Sequence, residues 1–231
     1  MDNNLRFGAV IVAGGSSSRM QGIDKQGLRI GGVPVLVRSI LPFTKLPQIA
    51  EIVIVCRADM MAQVQAWAEE FQLGKISAIV CGGNSRQQSV KNGVAALSAV
   101  DYIAIHDGAR PFADEALILR CMENAVSYGA ATAAVPSKDT IKVADDGGFI
   151  SATPDRSKLW LTQTPQIFRR ESYLSAMKQA EIDGVDCTDD CQLVERMGEK
   201  VFLSQGSYFN IKITTPEDIP FAEAIVGAME G

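Results

Sequence analysis

Short apolar runs alternate along this chain with stretches of helical period, and that alternation restricts the fold more than any other feature. The runs are Gly8–Ala13, Ile52–Cys56, Ile76–Cys81, Tyr102–His106 and Ala130–Val135. Each lacks the apolar/polar alternation of a half-exposed strand, so each reads as a strand buried on both faces. Between them, Val90, Val94 and Leu97 fall on one helical face after Ser85. Ile118, Cys121, Met122, Ala125 and Val126 do the same after Asp114. Parallel strands need long crossover connections, which helices supply. The pattern therefore predicts an α/β fold: a Rossmann-like, mostly parallel sheet with helices on both faces.

The pattern changes after Val135. Asp139–Val143 and Phe149–Ala152 alternate as strands around Asp145-Asp146-Gly147-Gly148, a good hairpin turn. This predicts a β-hairpin arm protruding at about residues 137–156. The arm has few large apolar residues, so it is expected to pack on the main body or on another subunit. A further strand is expected at Thr162–Phe168. A last helix is expected from Thr215, with Thr215 as cap, Pro216 in the first turn and Glu217 and Asp218 at the positive end. No repeat or linker divides the 231 residues, which are read as one domain, 1–231.

Composition bounds the partners. Hydrophobic residues make up 47%, enough for a sizeable core, and the net charge is −5. A nucleic-acid or membrane surface would call for a basic face, so neither partner is expected. An anionic substrate would need a local cluster of Lys, Arg or metal. The N-terminus lacks a signal-peptide pattern, and no apolar run approaches the ~20 residues that span a bilayer. The five cysteines show no CxxC spacing, and with one histidine they support no zinc site. Their odd number, with three in apolar runs, reads as buried thiols in a reducing, cytoplasmic setting.

The first strand runs into Ala13-Gly14-Gly15-Ser16-Ser17-Ser18-Arg19-Met20. Glycine and serine at the carboxyl end of a parallel strand let backbone N–H groups approach phosphate oxygens. The loop is neither a Walker A motif nor GxGxxG, which weakens the ATPase and dinucleotide readings. Arg19 and Lys25 add positive charge that can hold one triphosphate from two sides. Asp107 closes a buried strand and is expected at the same sheet edge. A carboxylate there suits Mg²⁺, a helix N-cap or a partner for Arg110.

Further motifs follow in order. They are Asp24-Lys25-Gln26, Gly32-Val33-Pro34-Val35-Leu36, Gly82-Gly83-Asn84-Ser85-Arg86 with Ser89-Val90, and His106-Asp107-Gly108-Ala109-Arg110-Pro111. After these come Asp139-Thr140-Ile141-Lys142, Thr164-Pro165-Gln166 and Asn210-Ile211-Lys212-Ile213-Thr214. From about Phe7 to the end, this ordered set resembles the sugar-alcohol phosphate cytidylyltransferases. Within them it resembles the 2-C-methyl-D-erythritol 4-phosphate cytidylyltransferase family of the non-mevalonate isoprenoid pathway.

The resemblance implies an enzyme that joins CTP to a sugar-alcohol phosphate and releases pyrophosphate, with Mg²⁺ as cofactor on Asp107. Arg19 and Lys25 would be catalytic. Ala13, Gly14, Gly15, Ser16, Asp107 and Lys212 would meet the nucleotide, with Gly83, Asn84 and Ser89 around its base. Thr140, Arg156, Thr188 and Lys212 would surround the acceptor, and the arm would join a homodimer. His106 is rejected as a general base, because a phosphate monoester with a second pKa of about 6 is already largely dianionic near neutral pH. Two departures stand out: Ser17 where the family often has glycine, and Phe209 where many relatives carry a carboxylate. A ribitol 5-phosphate cytidylyltransferase is the near alternative. An NAD(P)-linked oxidoreductase and a noncatalytic nucleotide-binding regulator are alternatives of other classes.

Overall fold

The computed structural model describes residues 4–15, 20, 22 and 24–230. Its main sheet draws on β1 (Phe7–Ala13), β4 (Ile49–Cys56), β5 (Ile76–Cys81), β6 (Tyr102–Asp107), β7 (Ala130–Pro136), β10 (Trp160–Arg169) and β11 (Phe202–Gln205), in the order β11-β7-β10-β6-β1-β4-β5. All pairings are parallel except those of β10, which runs antiparallel to both β6 and β7. The mostly parallel α/β sheet expected from the sequence is thus present, and all five early strands lie within two or three residues of their expected bounds. The expected return strand is β10, longer at both ends than Thr162–Phe168.

Side-chain alternation along each strand feeds two cores. Phe7, Ala9, Ile11 and Ala13 of β1 pack on one face with α1 (Val35–Lys45), α2 (Met61–Glu70) and α4 (Glu115–Tyr128). Val10 faces the other side with α3 (Arg86–Ala95), α5 (Arg170–Asp183) and α6 (Asp190–Glu195). Ser85 and Asp114 cap α3 and α4, accepting N–H bonds from Gln88 and Leu117. Gly93 lets α3 lie unusually close to the sheet, since a Cβ there would sit 2.5 Å from Val10 Cγ1 and 2.6 Å from Val55 Cγ2. That depth sets where the helix's first residue, Arg86, meets the sheet edge.

Two expectations need correction. The last helix, α7, spans Asp218–Glu230 rather than starting at Thr215. The Asp218 carboxylate turns back to accept the N–H groups of Thr214 at 2.7 Å and Thr215 at 2.9 Å, closing a turn ahead of the helix. The arm is present, but its strands are short: β8 is Val143–Ala144 and β9 is Ile150–Ala152. Val143 pairs with Ala152, so the same register would set Ile141 opposite Pro154, which has no N–H to give. The turn itself forms as expected, with Asp145 Oδ1 accepting the N–H groups of Gly147 and Phe149. Residues 138–153 of the arm are exposed throughout. A small hairpin, β2 (Arg29–Ile30) with β3 (Val33–Pro34), sits beside α7.

Candidate active site

The chain lays β1, β4 and β5 side by side and then returns to place β6 on the other side of β1. Parallel sheets bind ligands at such a switch point, beyond the carboxyl ends of the strands. Here those ends deliver Gly14-Gly15 from β1, Gly82-Gly83 from β5 and Asp107 from β6. They open on a cavity of about 410 Å³ lined by Gly14, Gly15, Lys25, Gly83, Asn84, Ser89, Asp107 and Lys212 among others. Eight of the residues singled out from the sequence thus share one space. Gly14 and Gly82 approach so closely that a Cβ on Gly82 would lie 3.4 Å from Gly14 Cα. The Ser89 hydroxyl donates to Ser85 O at 2.9 Å and accepts Gly83 N–H at 3.0 Å. Its work in this state is to hold the Gly83 turn to α3. Ala13 is buried, with its side chain in the core behind the loop. Ser16, Ser17 and Arg19 lie outside the described residues.

Asp107 is the electrostatic centre. Lys212 Nζ lies 2.7 Å and Arg110 Nε 3.8 Å from its Oδ2, and Arg86 Nη2 lies 3.5 Å from its Oδ1. Burial by itself would raise this carboxyl's pKa. The nearby cations, Lys212 first and then Arg86, overrule burial and hold it below the ordinary carboxylate range. It caps no helix, since α4 begins at Glu115 with Asp114 as its cap. A second cavity of about 230 Å³ adjoins the first and shares Arg86, Asp107 and Lys212 as a common wall. Thr188 lines this second space with Thr164, Gln166 and Asp189.

Arg86 and Arg110 were not singled out as site residues. Arg86 bridges Asp107 and the buried Asp190, at 2.6 Å to Asp190 Oδ2. One signal for it was legible: a cation in the first turn of a helix opposes the dipole, so its placement after the Ser85 cap asks for a reason. Arg110 Nη1 donates to Asn210 O at 2.7 Å, and Asn210 Nδ2 donates to Thr164 O at 3.0 Å. Those two bonds bring the 210–213 segment, and with it Lys212, against the loop after β6 and against β10.

His106 is a strut. Its Nε2 lies 3.1 Å from Arg110 O, which can only accept, so Nε2 carries the proton. Nδ1 then accepts from the Thr164 hydroxyl at 3.0 Å, and that hydroxyl accepts Asp107 N–H at 3.0 Å. Burial lowers its pKa from 6.5 to about 4. Below pH 6.5 the unfolded chain gains a proton that the native ring refuses until about pH 4. Stability is therefore lost as pH falls through that window, by on the order of 3 kcal/mol at its lower end. The difference in Tm between His106→Gln and the parent protein should shift in the mutant's favour between pH 7 and pH 4. Parallel Tm–pH curves would show that His106 does not carry this proton linkage.

Thr140 and Arg156, expected near the acceptor, line neither cavity of their own chain. Both are exposed on the arm, where Arg156 Nη1 donates to Lys138 O at 3.0 Å. Phe209 is 58% exposed and also lines neither cavity. Among the described residues, no group of three or more His, Cys, Asp or Glu could hold a metal on protein ligands alone. Among the described residues, Asp107 is the one carboxylate lining the larger cavity. That donor set fits Mg²⁺ carried on phosphate oxygens, which needs only one or two carboxylates.

A family model described as 2-C-methyl-D-erythritol 4-phosphate cytidylyltransferase matches residues 7–228. The chain belongs to that family. A relative of this name from Caldanaerobacter subterraneus is 46% identical over 222 residues, covering 95% of this chain and 98% of its own length. One from Clostridium acetobutylicum is 43% identical over 220 residues, covering 94% of this chain and 96% of its own. The crystal structure of a 4-diphosphocytidyl-2C-methyl-D-erythritol synthase from Anaerococcus prevotii superposes with a TM-score of 0.86 at 33% identity, covering 98% of this chain and all of that one. The family membership agrees with the motifs from Ala13 to Thr214 and with the sheet they decorate.

Proposed function

We propose that the protein transfers the cytidylyl group of CTP to 2-C-methyl-D-erythritol 4-phosphate, releasing pyrophosphate and forming 4-diphosphocytidyl-2-C-methyl-D-erythritol. The observation that carries this reading is the pair of adjoining cavities whose common wall is Arg86, Asp107 and Lys212. A triphosphate in the larger space and a phosphate monoester in the smaller would meet at that wall. An oxygen of the acceptor phosphate bonds to the α-phosphorus while the bond from that phosphorus to the bridging oxygen breaks. The acceptor is already anionic, so no base is needed. The barrier lies in bringing two anions together and in the charge growing on pyrophosphate, which cations and backbone N–H groups relieve. Lys25, Arg86 and Lys212 fit that task beside the Gly14-Gly15 loop, with Arg19 in the same role. Gly83 and Asn84 border the space for the base, and Thr188 borders that for the acceptor.

Asp107 is the residue we assign to hold Mg²⁺, which would neutralise part of the triphosphate charge when bound. Removing the anionic ligand in Asp107→Asn should raise the Mg²⁺ concentration for half-maximal rate by at least about tenfold. An unchanged metal titration would remove Asp107 from that role. Product analysis tests the reaction itself. With equal CTP, 2-C-methyl-D-erythritol 4-phosphate should release pyrophosphate at least about tenfold faster than ribitol 5-phosphate. The reverse preference would favour the ribitol reading. No pyrophosphate from either would favour a nucleotide-binding regulator.

The protein is further proposed to act as a homodimer joined through the arm, whose Phe149 and Ile150 are 75% and 65% exposed in the single chain. A cytoplasmic setting is supported by five free cysteine thiols. No helix among the described residues is long and apolar enough to cross a membrane.

A further inference from the structure

Cys56 is the last residue of β4 and Cys81 the last of β5, and the two are Cα partners in the parallel ladder. Neighbouring strands lie about 4.8 Å apart, within the Cα separation of about 4.4–6.8 Å that a disulfide spans. Both side chains point to the same face, because Ile54 and Ile79, two residues earlier in each strand, join the same core cluster. The thiols also sense each other: the Cys56 thiol is pushed up to about 11, first by burial and next by Cys81. Cys81 is exposed, whereas Cys56, Cys121, Cys187 and Cys191 are buried. One thiol therefore meets solvent while its partner waits behind it.

The pair stands under the nucleotide side of the site. Gly82 N–H donates to Cys56 O at 2.9 Å, and Asn92 Nδ2 donates to Cys81 O at 3.0 Å. Gly83, the next residue, lines the larger cavity. Closing the pair fixes the two strand ends to each other, and Gly82, next to Cys81, has little room to follow, since a Cβ on it would lie 3.4 Å from Gly14 Cα.

We propose that Cys56 and Cys81 form a modification site for hydroperoxide oxidants, closing to a disulfide that weakens nucleotide binding. The Cys81 sulfur attacks hydrogen peroxide, the O–O bond breaks, and Cys81 becomes a sulfenic acid with release of water. The Cys56 sulfur then attacks the Cys81 sulfur. The S–S bond forms, the S–O bond breaks, and the departing hydroxide takes the Cys56 proton to leave as a second water. A dithiol reductant reverses the change by exchange. Cross-link formation stands independently of the proposed reaction, and only the effect on CTP rests on it.

The test treats the reduced full-length protein with hydrogen peroxide, maps its peptides by mass, and measures CTP binding before treatment, after it, and after dithiothreitol. A linked Cys56–Cys81 peptide is expected, with CTP affinity at least about fivefold weaker and restored by reductant. Cys81→Ser, at an exposed position, should bind CTP as the reduced parent does and be indifferent to peroxide. Cys56→Ala should instead leave Cys81 as a sulfenic acid that dimedone traps. Treated parent protein that keeps Cys56 alkylatable overturns the proposal. A linked peptide with unchanged CTP affinity overturns its coupling to the site. Reduced protein that binds no CTP refutes the proposed function, while the peptide map still decides the disulfide.

Discussion

Lys25→Ala is expected to lower kcat by about 10²–10³ while weakening CTP binding far less, because the leaving pyrophosphate carries more charge in the transition state than in bound CTP. Lys25 lines the larger cavity together with Gly14 and Gly15. A ground-state triphosphate there would share its charge among the proposed magnesium, backbone N–H groups and several cations. During transfer, negative charge moves toward the β-phosphate, and a nearby ammonium gains more from that than from ground-state binding. Single-turnover rates at saturating CTP and acceptor check this, alongside CTP affinity from a direct titration. Equal losses in rate and affinity would mean that Lys25 binds substrate without favouring the transition state. Unchanged turnover would remove it from the chemistry.

Mixing two inactive proteins, Lys25→Ala and Arg156→Ala, is expected to restore up to about a quarter of normal activity. The reason is the separation seen within one chain: Lys25 borders the larger cavity, whereas Arg156 sits exposed on the arm and borders neither. If the arm reaches a neighbour's site, each site takes Lys25 from one chain and Arg156 from the other. Random exchange makes half the dimers mixed, and each mixed dimer holds one site with both lesions and one with none. An isolated hairpin is marginal in water, and the exposed Phe149 and Ile150 give this one a reason to be covered. Steady-state activity after verified subunit exchange is the measurement. No recovery would place both residues in the site of one chain.

The sheet was legible because its strands announce themselves locally. Ile76–Cys81 is an apolar run stopped by two glycines, and the structure keeps those bounds. The helices after Ser85 and Asp114 were equally readable, since an apolar face needs only residues three or four apart. Where the first turn closes differently, local reading misses the boundary. The Thr-Pro signature forms i+3 turns, Asp218 N–H to Thr215 O and Ile219 N–H to Pro216 O, so α7 starts only at Asp218. In the arm, Pro154 curtails a ladder whose alternation alone predicted longer strands.

The site divides along the same line. From the residues themselves came the glycine loop after β1, Lys25 and Asp107, because parallel strands deliver their carboxyl ends and the loops beyond them to one edge. Resemblance supplied the Gly83-Asn84 turn, which borders the larger cavity, and Thr188 and Lys212, which the fold brings to the smaller cavity and the shared wall. Only the tertiary structure decided that Arg86 and Arg110 join Lys212 around Asp107. It also decided that His106 is held between Thr164 and Arg110 O, and that β10 runs against its neighbours. Those outcomes join residues about 100 positions apart, such as Asp107 with Lys212 and Arg110 with Asn210. Periodicity along a chain specifies which face of an element is apolar. Which charges meet across elements depends on register, helix depth and packing, and these are settled only when the cores on both faces of the sheet close together.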